Sequence, residues 1–182
     1  VYELGSSTGS LTRKLAKRHP HGAKFIGIDI EEAMTRQAGI MLSEQEVNQN
    51  VTFLTDDILN FPYEKSDFIV AYYTVQFIPP RVRQQLFDHI YQSLNWGGAF
   101  VLFEKVRGPD ARFQDIISSL YVDYKVEQGY AANEILAKSR SLKGVLEPFS
   151  TGGNLDMLNR AGFVDVMTIF KHICFEGFFC IK

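Results

Sequence analysis

The sequence predicts one α/β domain built on a largely parallel sheet, with helices on both faces of the sheet. Short apolar runs alternate with segments whose apolar residues recur at helical spacing, which is typical of parallel strands joined by helical crossovers. Near the C-terminus, two apolar runs follow each other so closely that only an antiparallel hairpin can join them. The sequence therefore predicts five parallel strands and then a C-terminal antiparallel hairpin.

The first half of the chain alternates strands with helices. Strands are predicted at 1–4, 24–29, 51–54 and 67–73. Helices are predicted at 10–19 and 31–42. Pro20 and Gly22 follow the first helix and end it. Glu31 and Glu32 begin the second helix, where the helix dipole favours acidic side chains.

The second half adds a long helix, a fifth strand, an insertion and the hairpin. Pro79 and Pro80 open the helix, which carries apolar residues at helical spacing at Val82, Leu86, Ile90 and Leu94. A turn is predicted at 95–98 and a strand at 99–103. Residues 106–149 form a mostly helical insertion. A helix at 151–160 and hairpin strands at 163–170 and 174–181 complete the domain.

Composition favours an ordinary globular enzyme. The 182 residues suffice for a single domain with a sizeable core, and the net charge of -2 gives no basic field for direct nucleic-acid binding. Cys174 and Cys180 lie too far apart on one predicted strand to bridge easily, and free thiols fit a cytoplasmic location. No transmembrane run is present in the sequence. Val1 already belongs to a predicted strand, so we expect an N-terminal segment to be missing.

Two strand ends carry residues suited to a nucleoside-containing ligand. Ligands of open α/β sheets bind at the carboxyl ends of the strands. The loop Gly5–Gly9 allows close backbone approach, and the following helix offers free N–H groups. Asp29 ends the second strand and can accept hydrogen bonds from both ribose hydroxyls. The alternative for Asp29 is a cap for the next helix.

Two further strand ends complete the predicted site. Asp57 can accept a hydrogen bond from an adenine amino group while Ile58 covers the ring, the alternative being a solvated turn. The loop Tyr72–Phe77 is expected to face the reacting group. A dinucleotide-binding domain ends in a parallel sixth strand, whereas the antiparallel C-terminal strand is the hallmark of class I methyltransferases. The sequence therefore predicts S-adenosyl-L-methionine as the cofactor and no metal site.

The glycine loop also matches G-x-S-x-G, the nucleophile elbow of serine hydrolases. Ser7 is then the nucleophile and His172 its base. That fold places several strands before the elbow, and this sequence has none there. The hydrolase is therefore the weaker interpretation.

The chain resembles the carboxy-S-adenosylmethionine synthase family nearly end to end. The string Thr74–Phe77 and the pair Glu104-Lys105 are more specific than the glycine loop. Further matching strings are Tyr2–Ser7, Gly27–Asp29, Asp57-Ile58, Tyr91–Asn95, Gly97-Gly98, Gly129-Tyr130 and Ala161–Phe163. The resemblance implies a class I fold, a homodimer, and cofactor contacts from Gly5, Ser6, Ser7, Asp29, Ile30, Asp57 and Ile58.

The synthases use prephenate to supply a carboxylate to the methyl group of the cofactor, and a tyrosine from an N-terminal segment assists. Two departures from the family matter. Tyr72 stands where the synthases have asparagine, and it joins the predicted cofactor contacts. Ser139 stands where they have the arginine that holds the carboxylate, and Arg140 lies one residue further, a rotation of about 100° on a helix.

These departures favour methyl transfer to a small-molecule acceptor over the synthase reaction. A non-catalytic S-adenosylmethionine-binding protein is a third interpretation. The insertion is predicted to act as an acceptor-binding lid, and the stripe Phe113, Ile116, Ile117, Leu120 and Tyr124 within it is predicted to be a core or dimer face. The candidate catalytic residues are Tyr72, Gln76, Glu104 and Arg140.

Overall fold

A mixed sheet of seven strands forms the centre of the part of the chain that the structure, a computed structural model, describes: residues 1–43 and 50–182. The strands are β1 (Tyr2–Leu4), β2 (Phe25–Asp29), β3 (Val51–Thr55), β4 (Ser66–Tyr72), β5 (Leu94–Lys105), β6 (Asp165–His172) and β7 (Phe175–Ile181). Their spatial order is β3-β2-β1-β4-β5-β7-β6. Strands β1 to β5 pair in parallel, and β7 is antiparallel to both of its neighbours.

Helices join most of the consecutive strands, whereas the described segment 56–65 between β3 and β4 contains none. The helices are α1 (Ser10–Arg18), α2 (Glu32–Ser43), α3 (Pro80–Ser93), α4 (Ala111–Glu127), α5 (Ala132–Ser141) and α6 (Thr151–Ala161), with a 3₁₀ turn at Val75–Phe77. The predicted insertion consists of α4 and α5. None of these helices combines the length and the apolar character that crossing a membrane requires.

Strand residues alternate between two apolar clusters, one on each face of the sheet. Leu4 and Ile28 pack on one face with Leu86 of α3. Phe25 packs on the opposite face with Ala16 of α1. Successive side chains of a strand point to opposite faces, so this division places helices on both sides of the sheet. The carboxyl ends of the parallel strands meet at one edge of the sheet, where open α/β sheets bind their ligands.

The predicted stripe on α4 is not part of the core, because α4 has no buried residue. Phe113, Ile116 and Leu120 are each about half exposed. The side of α4 that contacts the domain carries Tyr121 and Tyr124, whose rings pack against Phe175 and His172. The insertion therefore rests on the β6–β7 hairpin through aromatic contacts.

The turn predicted at 95–98 is wrong, because these residues belong to β5. Ser66 of β4 pairs with Leu94 and Phe68 pairs with Ala99, so the extra residues of β5 form a bulge. The N–H of Gly97 donates to the carbonyl of Lys182 at 2.8 Å. This hydrogen bond joins residues distant in sequence, which a local glycine pattern cannot reveal.

We expect Gly162→Ala to lower the free energy of unfolding by about 2 kcal/mol. Gly162 ends α6 with φ +117°, and an added Cβ would lie 2.7 Å from the Tyr91 ring. Gly129→Ala is the matched control, since Gly129 has φ +87° and open space at its Cβ position. Urea denaturation of both variants measures the difference. Equal costs would show that the Tyr91 contact contributes nothing.

Candidate active site

A cavity of about 550 Å³ lies at the carboxyl ends of the parallel strands. This volume falls within the range of about 300–1,000 Å³ that is usual for small-molecule sites. It is lined by Gly5, Ser7, Asp29, Ile30, Asp56, Asp57, Ile58, Leu59, Tyr72, Tyr73, Thr74, Phe77, Ile78 and Pro79. Seven of the eight predicted cofactor contacts are among these residues, Ser6 being the exception.

The first strand loop is held between its neighbours on both sides. The N–H groups of Gly5 and Ser6 donate to the Ile28 carbonyl at 2.8 and 2.9 Å. Thr74 Oγ1 donates to the Leu4 carbonyl at 2.8 Å. Gly5 has φ +70°, and a Cβ at this position would overlap the Thr74 side chain. Glycine is therefore required where the loops after β1 and β4 meet.

Asp29 fastens two loops with one carboxylate. Its Oδ2 accepts from the N–H of Ser7 at 2.7 Å, and its Oδ1 accepts from the N–H of Glu31 at 3.0 Å. The second bond lies directly before α2, so the predicted capping role is present in part. An ionised carboxylate has about four acceptor sites. Two acceptor sites therefore remain on a carboxylate that lines the cavity.

The end of the cavity beyond β3 is apolar with an acidic rim. Ile58 is buried, whereas Ile30 is 68% exposed although it lines the cavity. An exposed isoleucine at a cavity wall suits a flat ring. Asp57 accepts hydrogen bonds from the Leu59 N–H at 2.9 Å and from Asn60 Nδ2 at 3.0 Å. Asp57 therefore stabilises the predicted turn and also lines the cavity.

Ser6 and Ser7 differ in orientation. Ser6 is 3% exposed, and among the residues that the structure describes its Oγ has no hydrogen-bond partner. Ser7 has φ +48°, and its Oγ donates to the Met34 sulfur at 3.7 Å. His172 packs against the ring of Tyr124. Across the described ranges, no histidine is hydrogen-bonded to Ser7, so the geometry of a serine hydrolase is not formed.

Two tyrosines form the wall that follows β4. The rings of Tyr72 and Tyr73 lie 4.6 Å apart between centroids, and both line the cavity. Tyr73 has φ +60°, which is uncommon for a residue with a side chain and is typical of functional sites. Burial raises the pKa of Tyr73 to about 12. At neutral pH its hydroxyl is protonated and can donate a hydrogen bond.

Gln76 and Glu104 lie behind this wall and do not line the cavity. Glu104 Oε1 accepts from the Val75 N–H at 3.0 Å. Gln76 Nε2 donates to the Tyr73 carbonyl at 3.1 Å, and its Oε1 accepts from the Lys105 N–H at 3.0 Å. Both candidates therefore hold the backbone of the loop in place. Arg140, the fourth candidate, is exposed on α5 and is also absent from the lining.

Sequence reasoning missed Arg83, which is 2% exposed and supports the same loop. Its Nε donates to the Ile78 carbonyl at 2.7 Å and its Nη2 to the Gln76 carbonyl at 3.1 Å. The guanidinium lies 4.6 Å from the centre of the Phe149 ring. The helical spacing could have predicted the burial of Arg83, because this residue lies on the same apolar face of α3 as Leu86.

Two buried glutamates give the fold a defined pH dependence. Burial raises the pKa of Glu104 to about 8, partly opposed by the Arg83 charge and the Val75 hydrogen bond. Burial raises the pKa of Glu3 to about 7, against hydrogen bonds from Thr12. Each folded pKa exceeds the value of the unfolded chain. The stabilising contribution is therefore complete in acid and is lost as pH rises through these pKa values.

We expect the free energy of unfolding to fall by on the order of 3 kcal/mol between about pH 5 and pH 8.5. Glu104→Gln should flatten this decline, because glutamine cannot release a proton. Urea titrations across the pH series measure the slope. Glu64→Gln, a change at an exposed site, serves as the control. A slope in Glu104→Gln equal to that of the wild type would contradict the assignment.

The sheet order, the antiparallel last strand and the cavity define an S-adenosyl-L-methionine-dependent transferase of the class I methyltransferase type. Residues 1–98 match the family model described as a methyltransferase domain. The chain belongs to the carboxy-S-adenosyl-L-methionine synthase family. It is 35% identical to a protein of that name from Staphylococcus epidermidis, covering 100% of this chain and 78% of the relative.

A second relative of that name, from Wolinella succinogenes, is 40% identical over 100% of this chain and 75% of its own length. A third, from Helicobacter hepaticus, is 38% identical over 96% of this chain and 72% of its own length.

Solved structures show the same fold at low sequence identity. Magnesium protoporphyrin IX methyltransferase from Synechocystis with bound SAH has a TM-score of 0.68 at 16% identity, covering 100% of this chain and 73% of that one. Human N-acetylserotonin methyltransferase in complex with SAM has a TM-score of 0.68 at 18% identity, covering 100% of this chain and 46% of that one. This chain thus spans from under half to about three quarters of these structures.

Proposed function

We propose that the protein holds S-adenosyl-L-methionine in this cavity and transfers its methyl group to a small-molecule acceptor. The observation that carries the proposal is the charge of the lining. It includes Asp29, Asp56 and Asp57, and no Lys, Arg or His is among the lining residues of the described chain. A cationic cofactor suits this lining. A carboxylated cofactor would place an anion beside the tyrosine wall, where bidentate contact needs a guanidinium.

The residues of the chain mainly align the reactants and exclude water. When bound, S-adenosyl-L-methionine supplies an electrophilic methyl group. Asp29 holds the ribose and fixes the loop that carries Ser7. Tyr72 and Tyr73 cover the reacting end, and the protonated Tyr73 hydroxyl orients an acceptor atom by donating to it. Glu104, Gln76 and Arg83 keep this wall in place from behind.

Carboxy-S-adenosyl-L-methionine synthesis is the second candidate. The names of the relatives favour it, at 35–40% identity over nearly all of the chain. In that case prephenate supplies the carboxylate, and a cation other than Arg140 would have to hold it. Arg140 lies outside the cavity lining, so the synthase reaction lacks the arginine that the family pattern uses.

The mass of the ligand that co-purifies with the protein distinguishes the two candidates. We expect mass spectrometry of the released ligand to find S-adenosyl-L-methionine or its demethylated product. A ligand heavier than S-adenosyl-L-methionine by one CO₂ would replace the first candidate with the second. As a control, the protein is incubated with prephenate before the ligand is released, so that carboxy-S-adenosyl-L-methionine can form if the protein catalyses the synthase reaction.

We also propose that the protein acts as a homodimer in the cytoplasm. The exposed apolar side chains of α4, Phe113, Ile116 and Leu120, support an assembly that covers them. Light scattering coupled to gel filtration tests the dimer. A monomer at all concentrations would overturn it.

A further inference from the structure

Two lysines meet at one aromatic ring where the insertion contacts the sheet. Lys105 is the last residue of β5, and Lys125 lies on α4. Their Nζ atoms lie 4.7 and 4.2 Å from the centre of the Tyr121 ring. Both lysines are partly buried. Two ammonium groups are thus held on one ring, in a region of reduced solvent access.

Within the described residues, neither Lys105 nor Lys125 forms a salt bridge with an acidic side chain. The salt bridges found in the described ranges join Arg36 to Glu32 and Lys171 to Glu176. Burial lowers the pKa of Lys125, and the neighbouring charges of Lys105 and Lys138 lower it further. Partly buried like charges repel each other unless an anion lies between them.

Two aromatic rings link the lysine pair to a wall of the cavity. The Tyr121 ring packs on Phe175 at 5.3 Å between centroids, and Phe175 packs on Tyr73 at 5.5 Å. Tyr73 lines the cavity. The N–H of Lys105 is hydrogen-bonded to Gln76, which also binds the Tyr73 carbonyl. A chain of aromatic rings therefore connects the ammonium groups to the tyrosine wall.

We propose that Lys105 and Lys125 form an anion subsite for the acceptor, which carries a carboxylate or a phosphate group. This inference rests on the proposed function, because the Tyr121 and Phe175 rings link the subsite to the tyrosine wall where methyl transfer is proposed. The anion neutralises the two ammonium groups and joins α4 to the end of β5. The cavity, whose described lining contains no cationic side chain, holds the cofactor. The cationic subsite holds the acceptor.

Calorimetry on the protein saturated with S-adenosylhomocysteine tests the subsite. The probes are inorganic phosphate, benzoate and the uncharged benzamide. We expect phosphate or benzoate to bind and benzamide not to bind. Lys105→Met and Lys125→Met should each weaken anion binding by about tenfold. Lys17→Met, an exposed change in the last turn of α1, is the matched control and should leave anion binding unchanged.

The outcomes separate the two proposals. Binding of phosphate alone assigns a phosphorylated acceptor, and binding of benzoate alone assigns a carboxylate. Binding of neither anion, or equal losses in Lys105→Met and Lys17→Met, overturns the subsite. The affinity for S-adenosylhomocysteine is measured first in every variant. Its absence in the wild type would refute the proposed function, whereas its presence without anion binding refutes only the subsite.

Discussion

Replacing Asp29 with alanine is expected to lower the affinity for S-adenosyl-L-methionine by at least about 100-fold. The carboxylate accepts hydrogen bonds from the Ser7 and Glu31 N–H groups, and Asp29 lines the cavity. Its removal eliminates the proposed ribose contacts and leaves the glycine loop without its anchor. Isothermal titration calorimetry measures the affinity directly.

Two further variants show whether the loss of affinity comes from the Asp29 carboxylate. Asp29→Asn keeps one acceptor oxygen and should retain part of the affinity. Asp165→Ala removes an exposed carboxylate on β6, away from the cavity, and should bind as the wild type does. A thermal melt shows whether Asp29→Ala stays folded. A folded Asp29→Ala protein with unchanged affinity would refute the assignment of the site.

Replacing Arg83 with methionine is expected to lower the free energy of unfolding by about 3 kcal/mol and to reduce turnover. The substitution leaves the Ile78 carbonyl without its 2.7 Å hydrogen bond and leaves the buried Glu104 without its neighbouring positive charge. The loop that carries Tyr73 then loses its support from α3. Urea denaturation and cofactor-dependent activity measure the two effects.

Two variants provide the controls for Arg83. Arg81→Met changes the same residue type on the exposed side of the same helix and should cost little. Above about pH 8, the double variant Arg83→Met with Glu104→Gln should recover part of the stability, because the buried carboxyl group can then no longer ionise. Equal losses in Arg81→Met and Arg83→Met would mean that the buried guanidinium supports nothing.

The structural predictions that depend on short stretches of sequence are the most accurate. Apolar runs located every strand except β5 within about two residues at each end. For the central strands the reason is burial on both faces, which leaves a continuous apolar pattern. The antiparallel β6–β7 hairpin followed from the short connection between its strands. Asp29 and the glycine loop were placed at the cavity because a strand end and a turn are both visible in a short stretch of sequence.

Features that depend on distant contacts could not be predicted. The bulge at Gly97 is fixed by a hydrogen bond to Lys182, and Gly5 is required because Thr74 approaches it. The type of a residue also does not predict the direction in which its side chain points. Gln76 and Glu104 were proposed as pocket groups from their chemistry, yet their side chains hold the loop from behind.

A crystal structure of the protein with S-adenosylhomocysteine tests the central claim most directly. We expect both ribose hydroxyls within hydrogen-bond distance of Asp29 and the adenine between Ile30 and Ile58. We also expect the sulfur to face Tyr72 and Tyr73, and Arg140 to lie outside the cavity. A ribose held away from Asp29, or a ligand bound outside this cavity, would contradict the claim.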